Sequence, residues 1–209
     1  MKKWITVCFL VISLHISPVL ADASSELQKR LNKINSFHAH FVQTVISTDG
    51  DIIQKNDGYL WIKRPNLFNW HMITPDESWL ISDGTNLWFY NPFIAQVTIM
   101  LLNNIMNDTL FLLLTGNDPQ NWKKYYITQN GNNFLLTPIH NKDNVKKFSI
   151  TIRFDGTVQQ FTEIEQDGKM SLYQLHGQKN NHIDDNKFKF IPPKDVTIDD
   201  QRSSSGKTI

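Results

Sequence analysis

The chain has 209 residues, 40% of them hydrophobic, and 21 Lys and Arg stand against 20 Asp and Glu for a formal charge of +1. So even a balance excludes the clustered basic excess of a large nucleic-acid footprint. Its one cysteine, Cys8, lies near the start, which excludes a disulfide scaffold or a multi-cysteine metal site in the rest of the chain.

Lys2 and Lys3, the apolar run Trp4 to Ile16 and the end Val19-Leu20-Ala21 have the plan of a secretory signal peptide cleaved before Asp22. The apolar run is short for a membrane span. Removal of residues 1–21 takes Lys2 and Lys3 and no acid, so 19 basic side chains face 20 acidic ones in the mature chain. No cysteine stands at the cleavage site to carry a lipid. These features predict a periplasmic protein with one domain over 22–202 and an unstructured polar tail over 203–209. An uncleaved N-terminal anchor is the alternative.

Ser24 to Asn35 places Leu27, Leu31 and Ile34 at spacings of four and three, which predicts an amphipathic helix with Ser24 and Ser25 available as caps. Turn chemistry then dominates. Asp49-Gly50, Asp57-Gly58, Asp83-Gly84, Asn130-Gly131, Asp155-Gly156 and Asp167-Gly168 are hairpin-type dipeptides able to supply positive φ. Between them run short stretches with a period of two; Phe148, Ile150, Ile152 and Phe154 share one face there. The pattern predicts an antiparallel sheet meandering through most of the domain. Trp61, Trp70, Trp79 and Trp88 recur every nine residues, which suggests that adjacent strands bring their indoles to one region.

Phe93 to Gly116 reads FIAQVTIMLLNNIMNDTLFLLLTG, with Asp108 as its only charge. It is predicted as a helix ending near Ile105 or Met106, a break at Asn107-Asp108, and a short helix from Thr109 to Gly116. Its apolar residues nearly encircle it, so it is either a core helix or a lid over something apolar that is not always present.

Motifs of catalysis are missing: there is no Gly-x-Ser-x-Gly, His-Glu-x-x-His, phosphate loop or dinucleotide fingerprint. No enzyme activity, cofactor or metal is expected. His38 and His40 alternate with Phe37, Ala39 and Phe41 and read as a solvent-facing pair, and Glu163 with Glu165 as adjacent solvated acids.

Three long stretches carry a resemblance. GYLWIKRPNLFNWHMITPDES (58–78), SDGTNLWFYNPFIAQV (82–97) and the closing FIPPKDVTIDDQR, with LQKRLNKINSFHAHFVQ and QNGNNFLLTP in order, resemble the periplasmic outer-membrane lipoprotein carriers of the LolA type. The resemblance covers nearly the whole mature chain and implies an unclosed β-barrel whose apolar concave face is covered by a helical lid. It implies a soluble monomeric chaperone that takes acylated lipoproteins from an inner-membrane ABC transporter and delivers them to an outer-membrane receptor. A membrane-anchored receptor or lipid-sensing domain of the same fold is the alternative, and a lipid-modifying enzyme using the same cavity is the reading from another class. Relative to the family, Leu110 to Leu114 is more continuously apolar, and a short extension follows Arg202.

By resemblance, Arg64 of the Arg-Pro-Asn-Leu-Phe-Asn-Trp motif is a latch that hydrogen-bonds the lid and favours the closed, empty state. A guanidinium offers five donors in a fork, suited to carbonyls left free at a helix end. Burying one sixteen-carbon chain is worth roughly 12 kcal/mol, so a carrier without an opposing term would scarcely release three. A lid that must be opened supplies that term. The expected acyl-binding cavity is Leu60, Phe68, Trp70, Leu80, Trp88 and Tyr90, under lid residues Ile99, Met100, Leu102, Ile105, Met106 and Phe111.

Overall fold

The computed structural model describes residues 22–105, 115, 122–140 and 145–202. It begins with helix α1 (Ala23–Leu31), capped by Asp22, whose carboxylate accepts the Ser24 N–H at 3.3 Å. The cap thus falls two or three residues before the serines. Leu27 and Leu31 are buried beneath α1, with Ile34 just beyond it.

Twelve strands follow: β1 (Ser36–Ile46), β2 (Ile52–Lys63), β3 (Leu67–Thr74), β4 (Ser78–Asp83), β5 (Asn86–Asn91), β6 (Gln96–Leu101), β7 (Tyr125–Asn130), β8 (Asn133–Pro138), β9 (Val145–Ile152), β10 (Val158–Glu165), β11 (Met170–Lys179) and β12 (Thr197–Asp200). They form one sheet in the order β12-β6-β5-β4-β3-β2-β1-β11-β10-β9-β8-β7, with β12 and β7 at its open ends. Every pairing is antiparallel except β12 on β6, which is parallel and closes the long C-terminal return.

Five of the six Gly dipeptides sit at hairpin ends with glycine φ between +61° and +94°. Asp57-Gly58 does not. Gly58 lies inside β2, where a Cβ would meet the His71 carbonyl oxygen at 2.0 Å and the Phe41 ring at 2.9 Å. Glycine is there because two neighbours approach too closely for any side chain.

The segment from Phe93 also corrects the expectation. Pro92 to Ala95 is a turn, closed by the Ala95 N–H on the Pro92 carbonyl at 3.1 Å, and Gln96–Leu101 is β6. Helix begins only at α2 (Leu102–Ile105). Val97, Thr98 and Ile99 are β-branched and pair fully with β5, so an available sheet edge wins over an apolar run that suits either state. The predicted helix from Thr109 to Gly116 lies outside the described residues except at Thr115, which is helical and buried.

The sheet is strongly curled. Trp70 on β3 and Phe161 on β10 are four strands apart, about 19 Å in a flat sheet, yet their ring centroids lie 6.2 Å apart. Phe41, Leu60, Phe68, Leu87, Phe134, Phe148 and Ile150 share this concave core with Leu27 and Leu31 of α1. The convex face has a cover of its own. Phe188, at the end of a 3-10 turn (Asp185–Phe188), is buried, and Phe190 packs on Trp88 and Tyr90 at 5.8 and 5.6 Å.

Candidate lipid-binding face

Cross-strand register settles which side chains share a face. Leu60 pairs with Trp70, Trp70 with Leu80, and Leu80 with Phe89; Phe68 pairs with Ser82, Ser82 with Leu87, and Leu87 with Met100. Leu60, Phe68 and Trp70 are buried in the concave core, and Leu80 and Met100 pack against it half-buried. Four of the six residues expected to line a cavity, Leu60, Phe68, Trp70 and Leu80, therefore lie together on one face.

Trp88 and Tyr90 do not. Trp88 pairs with Ile81 and Ile99, and Tyr90 with Trp79 and Val97, which places all of them on the convex face, where Phe190 packs on Trp88 and Tyr90. Strand alternation decides this: Leu87 and Phe89 point inward, so their neighbours point outward. Ile99 is likewise a convex strand residue and Met100 a concave strand residue; neither belongs to a helical lid. Leu102, in α2, is buried in the concave core. The Ile105 side chain, Met106 and Phe111 lie outside the described residues. The nine-residue tryptophan spacing also divides, since Trp70 faces inward while Trp61, Trp79 and Trp88 face outward.

Arg64 ends the β2–β3 hairpin at one margin of this face. The Arg64–Pro65 peptide is cis and Asn66 has φ +66°. Three hydrogen bonds fix the turn: the Arg64 N–H donates to the Asn35 carbonyl at 2.8 Å, Ser82 Oγ donates to the Asn66 carbonyl at 2.6 Å, and the Asn66 N–H donates to the Thr115 carbonyl at 3.3 Å. The last bond ties the arginine's own turn to the segment expected to form the lid. Arg64 Nε is buried, and burial pushes the guanidinium's pKa down to about 10. It remains a cation at neutral pH, held where a cation is disfavoured.

A second buried arginine escaped the sequence reading. Arg30 on α1 donates from Nε to Glu26 at 2.8 Å, and from Nη1 to Asn132 Oδ1 at 2.8 Å and the Ile152 carbonyl at 2.9 Å. Its guanidinium carbon lies 4.0 Å from the centroid of the Phe154 ring, which is exposed rather than buried with Phe148, Ile150 and Ile152. The signal was its place between Leu27 and Ile34 on the apolar stripe. His38 and His40 are half-buried rather than solvated, held by Asn181 at 3.1 Å and Asp57 at 3.4 Å. Glu163 pairs with Phe148 and Ser171 and so turns inward, while Glu165 bonds Lys169. Among the described residues no group of three or more His, Cys, Asp or Glu could hold a metal ion, and no helix is long and apolar enough to cross a membrane.

An open, curled sheet with an apolar concave face and a half-buried cation at its margin defines the class: a half-barrel cradle for hydrophobic cargo. Comparison with known proteins then gives the family. A model of the family described as "Outer membrane lipoprotein carrier protein LolA" matches residues 32–191. An outer-membrane lipoprotein carrier protein of Photorhabdus laumondii is 55% identical over 202 residues, covering 97% of this chain and 100% of its own. One of Edwardsiella ictaluri is 54% identical, covering 97% and 99%. This chain belongs to the outer-membrane lipoprotein carrier family. Among solved structures, an uncharacterized conserved protein of Thermus thermophilus shares the fold with a TM-score of 0.57 at 12% identity, covering 85% of this chain and 99% of that one.

Proposed function

We propose that this protein is a soluble periplasmic carrier that binds the acyl chains of lipoproteins released by an inner-membrane ABC transporter and delivers them to an outer-membrane receptor. The observation that carries the reading is the continuous concave surface of Leu60, Phe68, Trp70 and Leu80, which ends at a half-buried arginine whose turn is bonded to Thr115. Apolar side chains grip hydrocarbon without direction, at about 0.8 kcal/mol per methylene, and the half-buried cation supplies an opposing term. Membership of the carrier family supports the cargo class. The chain acts as a monomer and binds without chemistry, so it needs no cofactor.

The test is addition of the mature protein to spheroplasts synthesising labelled lipoproteins. Release of acylated lipoprotein into the soluble fraction as a one-to-one complex is the expected result. Retention of all acylated protein on the membrane, with the carrier folded, overturns the reading.

A further inference from the structure

Gln43 interrupts the inward row Phe37, Ala39, Phe41 and Val45 of β1, all of them buried. Beside it in register stand Asn56 on β2 and Tyr173 on β11. With Gln54 the three form a directional ladder of four side chains. Gln54 Nε2 donates to Asn56 Oδ1 at 2.8 Å, Asn56 Nδ2 to Gln43 Oε1 at 2.7 Å, and Gln43 Nε2 to the Tyr173 hydroxyl at 2.9 Å. The Tyr173 ring stacks on Phe161 at 4.5 Å and meets Trp70 edge-on at 5.4 Å, so the ladder adjoins the aromatic floor.

Register alone does not require these amides. Alternation with one apolar face already pins a strand, and a valine or leucine row would do so without burying polar groups. The amides also retain capacity. A carboxamide has two N–H donors, and the ladder uses one of Gln43 and one of Asn56. What remains on each is one further N–H on the inner face, where Glu163 and Ser171 also turn inward, and an N–H suits a group that accepts and does not donate.

Resting on the carrier reading above, we infer that Gln43 and Asn56 receive the acyl carbonyls of the cargo, the ester and amide oxygens at the head of its fatty chains. Gln43 lies seven residues from Ser36, which pairs with Lys63 beside the Arg64 turn, so the ladder is about 23 Å from the latch. The two ends of the cradle then have different tasks. Carbonyls settle at the ladder, and hydrocarbon runs over Phe41 and Trp70 toward Phe68.

The test compares binding of a triacylated cysteinyl lipopeptide with an analogue whose chains are joined by ether and amine links and so lack acyl carbonyls. Gln43→Met keeps volume and removes the amide. It is expected to weaken the acyl lipopeptide about fivefold, the worth of one neutral hydrogen bond, and leave the analogue unchanged. Asn56→Leu repeats the measurement if thermal unfolding shows that Gln43→Met does not fold. Equal losses on both ligands, or none on either, overturn the inference while leaving the carrier reading in place. Binding of neither lipopeptide by the unaltered chain overturns both.

Discussion

Two arginines serve this sheet, one wholly buried beneath α1 and one half-buried at the β2–β3 turn with its Nε enclosed, and their surroundings differ in kind. Arg30 has charge, geometry and ring contacts satisfied by partners on three elements: Glu26 on its own helix, Asn132 before β8, and Ile152 at the end of β9. Arg64 sits where burial works against its charge, in a turn fastened by backbone bonds to Asn35 and Thr115. Removing one partner of a buried ion pair leaves the other charge uncompensated, so Arg30 holds α1 as a fixed wall. Under the carrier reading, the Arg64 side is the one proposed to open.

The widest separation of the two sides comes from removing the fixed arginine. Arg30→Met leaves Glu26, Asn132 Oδ1 and the Ile152 carbonyl without their donor, and is expected to cost about 3–5 kcal/mol of stability, read as a lower urea midpoint at unchanged slope. A loss under about 1 kcal/mol would make Arg30 as dispensable as a surface charge.

On the opening side the largest effect should come from Phe68, which follows the turn and is 2% exposed in the concave core. Phe68→Glu is expected to fold, with the lid displaced to hydrate the carboxylate, and to accept no lipoprotein from spheroplasts. Normal transfer by a folded Phe68→Glu would remove Phe68 from the binding face.

The same contrast explains what could be read from the chain. Hairpin dipeptides and period-two runs name their own structure, so the meandering sheet was legible, while its unclosed form came from the family resemblance; that Leu60, Phe68, Trp70 and Leu80 share a face is set by cross-strand register. Inward and outward are not local properties, however. Trp88 and Tyr90 are as apolar as Trp70, and only the arrival of Phe190 from a distant part of the chain shows that their face is already covered. Ile99 and Met100 failed for a related reason: β6 is a strand because β5 and β12 flank it, a pairing invisible in an apolar run. Gln43 was legible in principle, standing in register with Phe41 on an alternating strand, but its meaning needs Asn56 and Tyr173 beside it.

Arg64 itself gives the finest test. Arg64→Leu removes both the donors and the desolvation penalty, so the empty protein should change in stability by no more than about 1–2 kcal/mol, unlike Arg30→Met. Cargo should still load, because the concave surface is intact, but unloading should fail. Each hydrogen bond from a charged group contributes about 1.5–3 kcal/mol to the closed state, so loss of one lets the open, loaded state hold its cargo roughly 10- to 150-fold more tightly. The unaltered protein should show the opposite shift by titration, with the sign set by the lowered pKa. Below about 10 the guanidinium is protonated, so transfer to the receptor should be flat from about pH 6 to 9. As the pH passes about 10 the closed protein releases this proton and the desolvation penalty goes, so this group favours the closed state over an open one in which the exposed guanidinium keeps its proton. Retention of an acyl probe should therefore fall above about pH 10 in the unaltered protein and stay level in Arg64→Leu. A fall of equal size in both would assign the change to some other group and leave the β2–β3 turn as fixed as the wall opposite.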